Sequence, residues 1–223
     1  MKNAERDAIL LHVVFGVTTL IILSLPTGWG SVGMRLLWLV LIYNLALPII
    51  AILQKHIIWL QLWAFLLPLS ILMIFPDWFL ASELGTLVFP QTGAPYIGMI
   101  PVYMAGMWII PLFIIIFTGL QVESRWNRPA AIWAVALLSL LLFAGSEAVL
   151  WTVPIWVAIS VATVGHIAVY VVLPEILLGL SAYSAYQASV GRSILHRLAA
   201  AFVVMLLYTG SLNFFFFLIE RLI

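Results

Sequence analysis

Four ionisable side chains stand inside long apolar runs of this 223-residue chain: His12, Glu147, His166 and Glu175. A charge at mid-bilayer costs about 2.5–3.5 kcal/mol even on insertion scales, so such residues mark functional positions by default. Asp77 and Glu83, in a connecting stretch between apolar runs, add two further carboxyls. Desolvation disfavours the charged form of a carboxyl, so one held among hydrocarbon and aromatic side chains can keep a proton near neutral pH and act as a general acid.

Depth sorts the candidates. Counted at about 1.5 Å per residue from Pro129, Glu147 lies about 27 Å up its helix, near the outer interface. His166 falls in the outer half of the following helix, with Thr163 and Tyr170 at helical spacing on the same face. Glu175 is about 180° away at 100° per residue and joins that site only if Pro174 bends the helix. At matching heights stand Asn44, Tyr103, Trp108, Tyr208, Ser211 and Asn213, the makings of an outward-facing pocket that Asp77 and Glu83 could close from above.

Each residue also has a plainer role. Glu147 can be solvated at an interface, His166 can tie two helices through a carbonyl or tyrosine, and Glu175 can satisfy groups freed around Pro174. Asn44 and Asn213 suit interhelical hydrogen bonds, and His12, near the inner interface, suits snorkelling. The ten tryptophans and seven tyrosines fit an interfacial belt, although an aromatic interior also suits a flat or cationic hydrocarbon guest.

Composition excludes much else. The chain is 65% hydrophobic and 8% charged, against roughly 25% charged in soluble domains, which makes it a membrane protein. It has no cysteine, so thiolate chemistry is out. Its two lysines, Lys2 and Lys55, leave no Schiff-base partner for retinal in the last helix. There is no HxxxH, HExxH or DxxxD spacing for a metal, no paired aspartate motif for diphosphate, no phosphate loop and no GxSxG elbow. No cofactor is expected. Nine scattered Lys and Arg do not make a nucleic-acid surface.

Seven apolar runs, near 8–25, 35–54, 57–75, 99–120, 129–150, 156–187 and 196–219, are each long enough to cross about 30 Å of hydrocarbon. The expected fold is an all-α bundle of seven transmembrane helices forming one domain over 1–223, with a retained first helix and an external capping loop at 76–98. Lys2, Arg6, Lys55, Arg125, Arg128, Arg192 and Arg197 fall on one side and only Arg35 and Arg221 on the other. The positive-inside bias makes that N-in, C-out in a cell membrane, of the prokaryotic inner-membrane kind. Pro154 is expected to end an external connection, with helix six projecting past the inner interface around Tyr183 and Tyr186. Pro48, Pro68, Pro111 and Pro174 fall inside helices and predict kinks. No internal repeat is read.

The run Glu83-Leu84-Gly85-Thr86, then Thr92-Gly93-Ala94-Pro95-Tyr96 leading to Ile100-Pro101 and a Met- and Trp-rich helix, resembles the acidic, Gly/Pro-punctuated segment of small membrane proteins of carotenoid biosynthesis, of the carotenoid hydratase and lycopene-cyclase-domain types. The likeness covers about 35 residues and departs from the family in that there is no PxEE-like cyclase motif, only the single Pro174-Glu175 pair. It implies an enzyme that protonates an isoprenoid double bond without a metal. The expectation is therefore an acid/base cyclase, hydratase or isomerase whose partner is a membrane lipid or isoprenoid substrate, with homo-oligomerisation left open. Glu147 is the leading donor, with Glu83, Asp77 or Glu175 as further acid or base. His166 and Tyr170 orient the guest, Trp108 and Tyr103 stabilise positive charge, and Asn44, Tyr208 and Asn213 complete the binding surface. The rivals are a three-plus-one-plus-three transporter, which Pro90-Gln91 resembles from the wrong place in the chain, and a subunit or scaffold of a larger complex.

Overall fold

The computed structural model describes residues 2–26, 28, 30–150, 152–153 and 155–222. Thr27, Trp29 and Pro154, the last expected to end an external connection, lie outside that set. Among the described residues, seven helical segments are long and apolar enough to cross a membrane. The chain is a multi-pass helical membrane protein.

The first two spans are α1 (Lys2–Ser24) and α2 (Val32–Leu53). Ser31 caps α2, its hydroxyl accepting from the Met34 N–H at 3.3 Å. The third span is compound: α3 (Ile57–Leu72), α4 (Ile74–Trp78) and a π-helical turn, Phe79–Glu83. The fourth joins α5 (Met104–Met107) to α6 (Ile109–Arg125), and the fifth is α7 (Arg128–Leu150). The last two are α8 (Val169–Ser189) and α9 (Ile194–Phe217), the latter continued by a π-helical turn, Leu218–Leu222. These helices are apolar on nearly every side because lipid is their outer solvent. Trp133 is 77% exposed and Leu195 72%, an exposure that a water-facing surface rarely carries.

Inside, Trp59, Phe65, Leu66 and Phe113 are fully buried where α3 and α6 meet. Where α7 packs on α8 and on α6 the contacts rely on small residues: a Cβ built on Gly179 of α8 would collide with the Ser139 side chain, and one on Gly119 of α6 would fall 2.6 Å from Val135. Glycine at these sites lets helix backbones approach.

Several boundaries differ from those expected. Pro76 does not end the third span. It sits in the first turn of α4, where a missing N–H leaves no internal bond unmade. The helix runs on through Asp77 to Glu83, and the connecting loop starts at Leu84. Pro111 likewise sits in the first turn of α6, whereas Pro48, Pro68 and Pro174 are inside helices. The sixth span begins only at Val169, later than expected, and Tyr183 and Tyr186 are buried against the bundle. His12 does not snorkel. Its ring is within hydrogen-bond distance of the Tyr43 hydroxyl at 2.9 Å and the Ala8 carbonyl at 2.7 Å, and stacks on Phe113 at 5.7 Å.

One end of the bundle carries a cap of short antiparallel strands. β1 (Leu87–Val88) pairs with β4 (Val157–Ala158), β2 (Tyr96–Ile97) with β3 (Ile100–Pro101), and β5 (Thr163–Val164) with β6 (Ile167–Ala168). Glu220 accepts from the Ala162 N–H at 2.9 Å, so the carboxy-terminal turn is at this end too. Arg35 is buried here and donates to the carbonyls of Ile22, Leu25 and Pro26, closing the carboxyl end of α1. A cation at that end meets the negative pole of the helix dipole. At the opposite end Asp7 pairs with His56 at 2.9 Å and Glu5 pairs with Arg125.

The cap also discloses a repeat. The third and fourth spans are joined through β1 and the β2–β3 hairpin, and the fifth and sixth through β4 and the β5–β6 hairpin. The hairpins read Ile97-Gly98-Met99-Ile100-Pro101-Val102-Tyr103 and Val164-Gly165-His166-Ile167-Ala168-Val169-Tyr170. In each, a glycine with positive φ, at Gly98 (60°) and Gly165 (63°), opens the two-residue turn. The β1–β4 register, Leu87 with Ala158 and Val88 with Val157, is the one a two-fold axis between the strands would produce. The tyrosines reach across it: Tyr103 donates to the Ile155 carbonyl at 3.4 Å, and Tyr170 bonds the Thr86 hydroxyl at 2.7 Å.

Candidate active site

Beneath the cap lies a cavity of about 340 Å³. Most of its wall is hydrocarbon, from Leu36 and Leu39 of α2, Leu80 of the third span, Ile114 of α6 and Val171 of α8. Into it face three carboxyls: Asp77 from α4, Glu147 from α7 and Glu175 from α8.

Each carboxyl is held differently. Asp77, 3% exposed, accepts a hydrogen bond from Trp108 Nε1 at 3.2 Å. Trp108 sits at the junction of α5 and α6, and its ring meets Phe143 at 5.7 Å and Tyr208 at 5.9 Å. Glu147, half-buried near the capped end of α7, accepts from the Ala168 N–H at 3.0 Å, immediately before α8 begins. Glu175, 7% exposed, follows Pro174 by one residue. Its Oε2 has no hydrogen-bond partner among the described residues. A buried oxygen without a donor is costly, and here it faces a cavity large enough to supply one. Glu147 and Glu175 are close enough to interact electrostatically.

Tyr170 and Tyr208 complete the polar lining expected from sequence, and Thr19, Thr86 and Ser146 add hydroxyls that the sequence did not single out. Tyr170 is fixed by Thr86 and by edge contact with Phe216 at 5.5 Å. Phe15, Thr19 and Leu23 of α1 and Ile110, Pro111 and Ile114 of α6 form a half-buried part of the wall.

Other expected members stand elsewhere. Glu83 ends the π-helical turn, exposed, with its Oε1 accepting from Ser82. Asp77 closes the site as part of a helix wall and not as a loop residue. His166 is not in a helix. It occupies the β5–β6 turn, so Thr163 and Tyr170 share no helical face with it. Asn44 donates to the Val40 carbonyl at 2.8 Å and the Gly106 carbonyl at 3.1 Å, tying α2 to α5 outside the cavity lining. Asn213 is exposed on the outer surface of α9, because its neighbour Leu212 takes the inward position. Tyr103 is fully buried behind the wall, bonded to Ile155.

A second, smaller cavity of about 140 Å³ adjoins the first on the cap side, lined by Glu147, Trp156, Ala158, Thr163, Gly165 and His166, among others. Glu147, Trp156 and Ala158 line both. Among the described residues no group of three or more His, Asp or Glu is arranged to hold a metal ion.

Residues 74–219, more than half of the chain, match the family model described as Domain of unknown function (DUF6989). No curated protein and no solved structure matches the chain.

Proposed function

The chain belongs to the DUF6989 family, and we propose that it is an integral membrane enzyme acting by acid/base catalysis on an apolar, isoprenoid-like lipid. The observation that carries this reading is the convergence of Asp77, Glu147 and Glu175 on one largely hydrocarbon cavity. Glu147 donates a proton to a carbon–carbon double bond, and Glu175, through the oxygen that has no other partner, takes a proton from the resulting cation. The faces of Trp108, Tyr170 and Tyr208 stabilise the positive charge between the two steps. Asp77, accepting from Trp108 Nε1, fixes the position of that ring at the cavity wall.

A dry cavity of about 150 Å³ accepts benzene, so one of about 340 Å³ accommodates roughly 14 carbons of a guest. A longer lipid keeps its remainder in the bilayer, through the wall shared by α1 and α6. The amino terminus is cytoplasmic and the cap external in a prokaryotic inner membrane, as the Lys and Arg bias favours.

The helix–strand–hairpin–helix repeat supports a second reading, a transporter built from parallel repeats. It relates pairs of helices and leaves α1, α2 and α9 without counterparts. Trp59, Phe113 and Phe117 pack edge-on and stacked on the uncapped side.

Photolabelling tests whether the cavity takes such a guest. An isoprenoid of about 10–15 carbons, a length set by the cavity volume, is given an alkyl diazirine and irradiated with the protein in lipid nanodiscs. Label is expected on peptides bearing Asp77, Glu147 and Glu175, and a short unlabelled isoprenoid should compete it away. Label confined to the lipid-facing residues of α7, such as Trp133 and Leu137, would contradict the proposal.

A further inference from the structure

The two repeat units carry different residues at equivalent places, and the differences run in one direction. Asp77 stands ten residues before β1 and Glu147 ten before β4, each near the end of its span. Aligned on their glycines, the hairpins put Met99 opposite His166 and Tyr103 opposite Tyr170. The same alignment, carried into the next helix, puts Trp108 opposite Glu175. One unit therefore presents His166, Glu147 and Glu175 in order from the surface inward. The other presents Met99, Asp77 and Trp108.

The contacts repeat as well: Trp108 is bonded to Asp77, and Glu175 interacts with Glu147. The smaller cavity stands at the second unit, where it joins exposed His166 to Glu147. At the first unit the matching position is an exposed Met99 (52%), whose thioether cannot carry a proton.

We infer that protons reach the cavity from the capped face through the second unit, with His166 relaying them across the small cavity to Glu147. This rests on the acid/base reading above. About 140 Å³ holds roughly four waters at about 30 Å³ each, enough to bridge an imidazole and a carboxyl that line the same space. Solvent protonates the imidazole. The imidazolium passes a proton through water to the Glu147 carboxylate and returns to neutral imidazole, so the relay is regenerated. Besides His166, Glu147 is faced by Asp77, Glu175, Tyr170 and Tyr208 across the main cavity, and Glu220 flanks the β5–β6 hairpin through Ala162. None of these opens to the surface through the small cavity. His166 is here a positioning and relay residue that need not touch the guest.

The test reads the proton and not the product. In nanodiscs moved from water to D₂O, the carboxylic acid C=O band of Glu147 is identified by its loss in Glu147→Gln, and its hydrogen–deuterium exchange is timed. His166→Met is expected to slow that exchange by about tenfold or more, as loss of a positioned proton carrier does, and added imidazole should restore it. Met99→Gln should leave it unchanged. Equal rates in wild type and His166→Met, failure of imidazole to restore the rate, or no Glu147 acid band at any pH would overturn the relay. Exchange that behaves as expected in a protein that converts no isoprenoid would leave the relay standing and remove the enzyme reading.

Discussion

Glu147→Gln is expected to lower turnover of an isoprenoid alkene by about 10²–10⁴-fold, the usual worth of a positioned general acid. The amide is nearly isosteric, and its oxygen can still accept from the Ala168 N–H that Glu147 receives at 3.0 Å. The β6–α8 junction should therefore survive and the thermal unfolding midpoint should stay close to wild type. What the amide cannot do is release a proton into the cavity. Side-by-side turnover and unfolding measurements decide the matter. A scaffold protein would be indifferent in both, and a purely structural Glu147 would fail in stability before it failed in rate. Glu175→Gln should also slow turnover, since the oxygen lacking a partner is the one assigned to proton removal.

Gly179→Leu should destabilise the bundle more than any substitution in the cavity wall. Even a Cβ at Gly179 runs into the side chain of Ser139, and Ile115 stands only 3.4 Å away. Ser139 is itself fully buried, with its hydroxyl donating to the Val135 carbonyl at 2.8 Å, so it has little room to retreat. Overpacking of a tight core costs about 1–3 kcal/mol, and leucine here must also part α7 from α8. Glu175 lies one turn before Gly179 on the same helix, so the separation moves the catalytic wall as well. A double-mutant cycle makes the origin visible: Gly179→Ala should lower the unfolding midpoint, and Ser139→Gly should recover part of the loss. Strict additivity would mean that the two residues do not meet.

How far the sequence could foresee this depends on the kind of signal. The spans were legible because roughly 20 apolar residues in a row have only one use, and the scarcity of charge made Glu147 and Glu175 conspicuous. Asp77 stands out as a site residue, but Pro76 before it reads as a stop and so places it in a loop unless the preceding turn is known to restart there. The cap was not legible, since strands of two residues carry no period. Yet the hairpin signal was present. Val164-Gly165-His166-Ile167 is a two-residue turn with glycine first between β-branched residues, and reading it would have moved His166 out of the helix and shortened the sixth span.

The repeat escaped for a related reason. Outside Ile97–Tyr103 and Val164–Tyr170 the matching positions have diverged in polarity, Trp108 against Glu175 being the extreme case, and only the β1–β4 register brings the units into correspondence. Asn44 and Asn213 show the converse limit. Residue counts along a helix do not give facing, and Asn213 points to the outside while its neighbours Leu212 and Tyr208 point in.

The most direct measurement is deuterium uptake from solvent. Purified protein in nanodiscs made up in D₂O is incubated with isoprenoid alkenes of about 10–15 carbons, a length set by the cavity, and recovered material is read by mass spectrometry and NMR. Donation by an exchanged Glu147 should form a carbon–deuterium bond at one defined position, with wild type active and Glu147→Gln inactive. Alkenes that come back unlabelled from the wild-type protein, or labelled equally by both proteins, would contradict proton transfer from the carboxyls of this cavity.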